Sequence, residues 1–300
     1  MQDHMLLYPA RFIRRINLGI SLALLPFTSM ASSEVYPGAF AVAPPGTQAL
    51  SLYLYERKYE GFYIDGKRFG DSELKAHATV LAYTNFGQTA GMPSSWNIAL
   101  PDIHVRKTSG SLPYGFGDTT NGLGDVRLGY TFWPVNDTES GRSLAIASTL
   151  QIPSADYDNS QSLNAGDNRW RATLQLGWIQ KLSSTLTFDF VPEVSFYSPN
   201  HNFVGFGMTQ KPTYAATTYL RWRFMPIWEA NVGFQANRGG AQNINGYVLD
   251  NERRQQRVFL GLSTALSKNI FTGLRYSHDT SIGYELKTTS DLVLNFHYVF

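Results

Sequence analysis

Residues 214–237 read YAATTYLRWRFMPIWEANVGFQAN, and this stretch decides the fold. Apolar and polar side chains alternate along it with a period of two, first up to Phe224 and again from Trp228 onward. Such alternation is typical of β-strands that have one apolar and one polar face. The break at Met225-Pro226 is only two residues long, so it predicts a tight hairpin between two such strands.

The same alternation recurs at 170–178, at 186–196 and at 292–300. These strands are about 9–12 residues long, which is the length a tilted strand needs to cross a bilayer, whereas strands of soluble proteins are mostly nearer 5–6 residues. The apolar faces carry aromatic residues at their ends, as the interfacial girdles of membrane barrels do. The pattern therefore favours an all-β transmembrane barrel over a soluble sandwich.

Short and long connections alternate along the chain. The short links lie near 134–142, 182–185, 225–226 and 267–268, and the long polar links at 153–168, 198–212, 238–254 and 279–290. Tight periplasmic turns and long external loops are arranged in this way in antiparallel up-and-down barrels of the outer membrane. The predicted strands are 47–57, 74–84, 96–107, 124–133, 143–152, 169–180, 185–197, 213–224, 227–237, 255–266, 269–278 and 291–300. Twelve is thus the expected number, with ten or fourteen left open.

The first 31 residues predict a secretory signal peptide. Three arginines, at 11, 14 and 15, precede the ten-residue apolar run Leu18–Phe27, and small residues follow at Ser29 and Ala31. A run of ten residues is too short for a membrane-spanning helix, which needs about 20. We expect the Pro-rich segment 32–46 to precede the barrel and to be able to plug its lumen, and residues 47–300 to form the barrel itself.

Composition excludes several classes of protein. The chain has no cysteine, which excludes disulfide scaffolds, thiolate metal sites and thiol nucleophiles. Removing the three arginines and one aspartate of residues 1–31 from totals of 25 basic and 23 acidic residues leaves 22 of each. A chain with no net positive charge has no overall attraction for nucleic acid, so we expect no such partner.

Two stretches carry a family resemblance. The first is the glycine-rich stretch 122–129 (GLGDVRLG), which runs into Phe132-Trp133-Pro134, and the second is 153–158 (PSADYD), followed by Asn168-Arg169-Trp170. Together with Tyr36-Pro37-Gly38 and 44–47 (PPGT), they resemble the outer-membrane transporter family named for the meta-pathway of phenol degradation. The resemblance implies a barrel that passes hydrophobic or aromatic compounds, with no catalytic residues to carry over.

An outer-membrane lipid hydrolase on a similar barrel is the rival class, and a plugged structural or adhesive barrel is a second alternative. A hydrolase needs a serine oriented by a histidine and a third polar group. The nearest candidate is Ser277-His278-Asp279, but adjacent strand residues point to opposite faces. We therefore expect no enzyme.

Oxygen-bearing side chains between Asp156 and Asp167 have the spacing of a calcium loop, yet Gln161 stands where that loop requires glycine. We expect a solvated external loop there, with no metal and no cofactor.

The polar face of the strands predicts the lumen, where a solute path should lie. By alternation the lumen set contains Asp125, Arg127, Arg171, Gln175, Asp189, Glu193, Arg221, Arg223, Glu229, Asn231, Gln235, Arg275, Asn295 and His297. Because acids and bases are mixed, we expect part of this set to form structural ion pairs. Arg221 and Arg223 are two residues apart on one face, and we expect one of them to pair with Glu229 while the other remains free for an anionic or aromatic solute.

The sequence therefore predicts a passive outer-membrane channel for small hydrophobic or aromatic molecules. Its expected partners are outer-membrane lipids, the permeating solute, and the barrel-insertion machinery, which would recognise the last strand ending on Phe300.

Overall fold

The computed structural model describes residues 34–112 and 115–300 of the chain, so the predicted signal peptide lies outside the described residues. Seventeen strands are present in this part of the chain. They are β1 (Gln48–Ile64), β2 (Lys67–Thr89), β3 (Met92–Ser109), β4 (Thr119–Leu123), β5 (Arg127–Asp137), β6 (Arg142–Gln151), β7 (Arg171–Lys181), β8 (Leu186–Tyr197), β9 (Asn200–Phe203), β10 (Phe206–Gln210), β11 (Thr213–Met225), β12 (Trp228–Gly239), β13 (Gln242–Ile244), β14 (Tyr247–Val248), β15 (Arg253–Ala265), β16 (Ile270–Ile282) and β17 (Glu285–Val299).

Twelve of these strands close into one antiparallel barrel, in the order β1-β2-β3-β5-β6-β7-β8-β11-β12-β15-β16-β17. Closure comes from the pairing of the first and last strands, which runs from Ala49 opposite Val299 to Tyr63 opposite Glu285. Because the wall has no free edge at membrane depth, its backbone N–H and C=O groups can all pair within the protein. The predicted fold class and the strand number of twelve are confirmed.

The two faces of each strand differ as the alternation predicts. On β7 every second side chain, from Arg171 to Ile179, is buried inside the barrel, while Leu174, Leu176 and Trp178 point outward and are exposed. On β12 the outward Val232 is 57% exposed and the inward Asn231 only 3%. An apolar exterior around a polar interior is the reverse of a soluble fold, and it suits a lipid environment.

Some predicted connections and strand ends differ from the structure. The predicted long link 279–290 is wrong, because β16 and β17 continue to a turn at 283–284. The hairpin predicted at Met225-Pro226 turns instead at Pro226-Ile227, since Met225 pairs with Trp228. Strands β1 to β3 are much longer than expected and reach well beyond the apolar belt.

The wall is irregular where β3 meets its next neighbour. β3 pairs with β5 along Ser94–Ala99 and with the short β4 along Asp102–Arg106. The first three residues of the predicted strand 124–133 therefore lie in a gap between β4 and β5, and β4 itself was not predicted. Above this break the connection 152–170 between β6 and β7 covers the wall. The external connections after β8 and β12 form a separate four-stranded sheet, β14-β13-β10-β9.

Among residues 34–112 and 115–300, no helix has the length and hydropathy that a membrane-spanning helix needs.

The outward position of Leu220, midway along β11, gives a first prediction. Leu220→Arg should lower the free energy of unfolding by about 2–4 kcal/mol, because a charge near the bilayer midplane loses its hydration. The matched control is Leu266→Arg, in a turn at the barrel end, where the cost should be about 0–1 kcal/mol. Urea unfolding in lipid vesicles measures both, and equal losses would contradict the assigned depth of Leu220.

Candidate functional site

The structure places the predicted lumen residues inside the barrel, with one at its rim. Those buried in the interior are Asp125, Arg171, Gln175, Asp189, Glu193, Asn231, Gln235 and Arg275. Those half-buried on the inward face are Arg127, Arg221, Glu229, Asn295 and His297. Arg223 differs from the rest, because its side chain is 60% exposed near the turn after β11.

A cluster of ion pairs lies on the inward face of three adjacent strands, β1, β17 and β16. Arg57 donates to Asp291 (Nε to Oδ1, 2.9 Å; Nη2 to Oδ2, 3.0 Å), and Ser277 donates its hydroxyl to the same carboxylate. Glu34 bridges the guanidinium groups of Arg57 and Arg275. All the charges are compensated by a partner within the cluster, which is the condition under which buried ions are tolerated.

Glu34 belongs to the segment that precedes β1, and this segment lies inside the barrel. The hydroxyl of Tyr219 donates to the Val35 carbonyl (2.8 Å), and the Trp133 indole N–H donates to the Phe40 carbonyl (2.9 Å). The phenol oxygens of Tyr36 and Tyr55 are 2.6 Å apart. Residues 34–42 are therefore fastened to the wall from several strands.

Two glycines allow the segment to fit. Gly38 has φ of +74°, a conformation that glycine adopts without strain, and its N–H donates to the Asp189 carboxylate at 2.8 Å. Gly177 faces inward on β7 against the ring of Phe40, and a Cβ at this position would overlap that ring. The wall is thus shaped to receive the segment.

Of the two arginines Arg221 and Arg223, Arg221 forms ion pairs and is therefore not the one that remains free for a solute. Its Nε lies 3.0 Å from Asp189 Oδ2 and its Nη1 lies 3.3 Å from Glu229 Oε1, while Arg223 Nη2 is 3.9 Å from the second Glu229 oxygen. The turn at Pro226-Ile227 places Arg221 directly opposite Asn231 on β12. Arg223 is the less engaged of the two, but it lies at the exposed end of the barrel.

The inward faces of β7 and β8 carry a second polar network. Glu193 accepts from the Gln175 amide (2.8 Å) and lies 3.7 Å from the Arg171 guanidinium. Arg171 also donates to the Ser195 hydroxyl, and Tyr197 receives the guanidinium of Arg169 over its ring at 4.5 Å. These contacts make this part of the wall polar and rigid.

Arg127, on β5, stands apart from these networks. Within the described part of the chain its guanidinium forms no hydrogen bond and no ion pair, and its Nε is fully shielded from solvent. Two of the inward residues beside it are small: Ala99 lies directly across on β3, and Gly129 is the next inward position on β5. Gln151 lies across from it on β6. Arg127 keeps partial exposure although it points inward, so open volume adjoins it.

Asp125 holds the external connection 152–170 to the wall. Its carboxylate accepts the backbone N–H groups of Ser154 (3.0 Å), Ala155 (3.1 Å) and Asp167 (2.7 Å), and also the Gln151 amide. A carboxylate that satisfies three backbone donors orders the loop to which they belong. Asp125 is therefore a structural residue at the break in the wall.

The hydrolase candidate is not assembled. Ser277 points inward and donates to Asp291, whereas His278 lies on the other face, with its ring 5.9 Å from that of Tyr276. A different serine and histidine do meet: Ser51 Oγ and His297 Nδ1 are 2.8 Å apart on the inward face near the start of the barrel.

The calcium-like spacing does not gather ligands either. Asp158 accepts the N–H and the hydroxyl of Ser160 and so closes a local turn, and these bonds hold the pKa of Asp158 below its usual value. In residues 34–112 and 115–300, no three His, Asp or Glu side chains are arranged to hold a metal ion.

Comparison with known proteins identifies the family. Residues 59–289 match the model of a family described as "Putative MetA-pathway of phenol degradation". The chain belongs to this family. The resemblance carried by its glycine and aromatic motifs is thus confirmed. Among curated proteins, no sequence matches the chain.

Solved structures share the fold of this family member. The COG4313 outer membrane channel from Pseudomonas putida F1 superposes with a TM-score of 0.83 and 23% identity, over 89% of this chain and 100% of that one. The β domain of the Bordetella autotransporter BrkA has a TM-score of 0.54 and 12% identity, over 85% and 100% of the two chains. The NanC porin has a TM-score of 0.50 and 8% identity, over 83% and 98%. The protein is a β-barrel of the bacterial outer membrane.

Sequence reasoning missed several interior residues that the structure brings together. Arg57, Asp291, Arg257 and Asp279 are all buried and ion-paired in the bore, with Arg257 Nε 2.8 Å from Asp279 Oδ1. Each lies within two residues of an end of a predicted strand, where the alternation merges into the sequence expected to form a loop, although the observed strands extend further. The sequence pattern does not identify Glu34 as an interior residue, because a segment outside the strands has no alternation that indicates which side chains enter the bore.

The position of Glu34 predicts an effect on ion passage. Glu34→Gln removes the charge that joins the segment to Arg57 and Arg275, so the segment should leave the bore more often and single-channel conductance should rise. Planar-bilayer recording measures this, with Glu139→Gln in an exposed turn as the control. Unchanged conductance in the Glu34 variant would mean that the remaining contacts hold the segment by themselves.

The position of Asp125 predicts a local loss of order. Asp125→Ala should make the connection 152–170 sensitive to protease on intact cells, because three backbone N–H groups lose their acceptor. Asp156→Ala, in the same connection but exposed, is the matched control and should remain as resistant as the wild type. Equal cleavage of the two variants would contradict the role of Asp125.

Proposed function

We propose that this protein is a passive channel through which small hydrophobic or aromatic compounds cross the outer membrane. The family description refers to phenol degradation, and the Pseudomonas structure of the same fold is described as an outer membrane channel. Passive transport needs only a continuous path through the barrel, with no energy-coupling domain.

The observation that carries this proposal is the uneven filling of the barrel. Buried ion pairs occupy the side of the bore formed by β7, β8, β11, β15, β16, β17 and β1. On the side formed by β3, β5 and β6, by contrast, the inward residues Asn97, Ala99, Arg127 and Thr149 remain partly exposed. Partial exposure of inward side chains requires space beside them, and this space is the proposed path.

Aromatic surface continues the path along β1. Tyr53 and Tyr55 point inward and are partly exposed, and the ring of Tyr53 contacts that of Tyr36 at 4.9 Å between centroids. Such rings offer apolar faces to a solute while their hydroxyl groups remain hydrogen-bonded. We propose that segment 34–46 narrows this path as a partial plug, and that the outward apolar belt contacts outer-membrane lipid.

We propose no enzymatic activity. Within the described residues the inward pair Ser51 and His297 has no carboxylate within hydrogen-bond reach of the histidine. Activation of a serine needs a histidine that is itself oriented by a third polar group. The pair fits a structural hydrogen bond between β1 and β17, the strands that close the barrel.

Uptake in cells tests the channel. A strain that lacks other channels for aromatic compounds should accumulate radiolabelled toluene and phenol faster when it expresses this protein, while the uptake of a disaccharide should not change. The control is the same strain with an unrelated barrel expressed at an equal level. Equal toluene and phenol uptake in both strains would reject the channel and favour a structural barrel.

Purified protein in detergent should not hydrolyse lipid esters. Hydrolysis that disappears in Ser51→Ala, while the variant stays folded, would instead establish the hydrolase alternative.

A further inference from the structure

We infer that Arg127, assisted by Arg171, forms a binding site in the bore for the carboxylate group of an aromatic or aliphatic acid in transit. The inference rests on the proposed channel, since it names one class of solute for that path. It depends on the guanidinium of Arg127, which takes part in none of the ion-pair networks and lies beside open space.

The interior arginines differ in how they are used. In the described part of the chain, Arg57, Arg171, Arg221, Arg253, Arg257 and Arg275 each have a carboxylate within 4.0 Å. Arg127 has neither a carboxylate nor any other hydrogen-bond acceptor. An inward cation without a partner is costly, so the site is suited to a partner that is supplied from outside.

Two carboxylates near Arg127, Asp125 and Asp167, accept hydrogen bonds from other groups. Asp125 is saturated by backbone N–H groups and by Gln151, and Asp167 accepts from the same Gln151 amide at 3.2 Å. Neither forms an ion pair with Arg127. The positive charge of Arg127 therefore remains available to the bore.

Arg171 lies on the same level of the wall as Arg127. In the strand register, Arg127 lies opposite Gln151 on β6, and Gln151 lies opposite Arg171 on β7. Two strand spacings separate the two arginines, which is about 10 Å between their Cα atoms, so both side chains can approach one anion. Arg169 adds a third guanidinium near Tyr197. Among the described residues, Glu193, already shared with Gln175, lies 3.7 Å from Arg171 and offsets part of this positive charge.

The chemistry of the site selects the ligand class. A guanidinium presents two parallel N–H donors that match the two oxygens of a carboxylate. The neighbouring inward residues Ala99 and Thr149 are small and leave room for the ring or chain that carries the carboxylate. A neutral analogue with an amide in place of the carboxylate would keep the shape but lose the charge-assisted hydrogen bonds.

Calorimetric titration of the purified, full-length protein in neutral detergent tests the site, with benzoate and its neutral isostere benzamide as probes. Wild-type protein should bind benzoate about tenfold more tightly than benzamide, as expected for one charge-assisted pair. In Arg127→Gln, benzoate binding should fall to the level of benzamide. The matched control is Arg223→Gln, which removes an arginine from the exposed end of the same barrel and should leave the preference unchanged.

A folding check accompanies the titration, because folded barrels migrate differently from unfolded ones in electrophoresis without heating. If Arg127→Gln does not fold, Arg127→Lys replaces it, and its benzoate affinity should lie between that of wild type and that of benzamide, since lysine keeps the charge but not the paired donors. An unchanged preference for benzoate in the folded glutamine variant, or wild-type affinity in the lysine variant, would overturn the inference.

Transport in proteoliposomes separates this inference from the channel proposal. Wild-type vesicles should pass both benzamide and benzoate faster than protein-free vesicles, and Arg127→Gln should slow benzoate alone. If wild-type vesicles pass neither solute, the channel proposal fails. If both proteins pass both solutes with the same ratio, the channel proposal stands and the carboxylate site is rejected.

Discussion

The backbone of this protein must pair with itself, because a bilayer offers no water to its N–H and C=O groups. Closure of β1 onto β17 meets that requirement, and most other features follow from it. A closed wall gives every strand one face toward lipid and one toward the bore. The period-two alternation, the outward leucines and the inward charges are all consequences of this single geometry.

Closure of the barrel also creates an interior that must be filled, since a twelve-stranded barrel encloses more volume than its wall side chains occupy. The chain fills part of that volume with ion pairs and part with the segment that precedes β1. Glu34 is central to this arrangement, because it joins the segment to Arg57 and Arg275 on opposite sides of the seam at which the barrel closes. The segment and the wall therefore share one electrostatic cluster. On β3, β5 and β6 the inward residues Asn97, Ala99, Arg127 and Thr149 remain partly exposed.

The break in the wall at residues 124–126 shows how the fold compensates for irregularity. Pro101 on β3 has no backbone N–H to donate to a neighbouring strand. Its carbonyl accepts a hydrogen bond from the Gly124 N–H. The connection 152–170 then covers the break, with Asp125 as its anchor. The glycine-rich stretch that carries the family resemblance is thus the place where one strand gives way to another. Its glycines serve the geometry of the wall, which explains why the motif indicates the family but no substrate.

The class of fold, the number of strands and the face of most side chains follow from the alternation of apolar and polar residues, because a period of two is a local property that each strand displays independently. The register of the turn at Pro226-Ile227 and the length of β1 to β3 were less accessible, since strand ends merge into loops. Which inward charges are paired depends instead on contacts between distant parts of the chain. Arg127 and Arg221 look alike in the alternating pattern, yet Arg221 meets Asp189 and Glu229 while Arg127 meets no described partner. Pairing across a barrel depends on strand neighbours and on the path of residues 34–46, which are contacts between residues far apart in the chain.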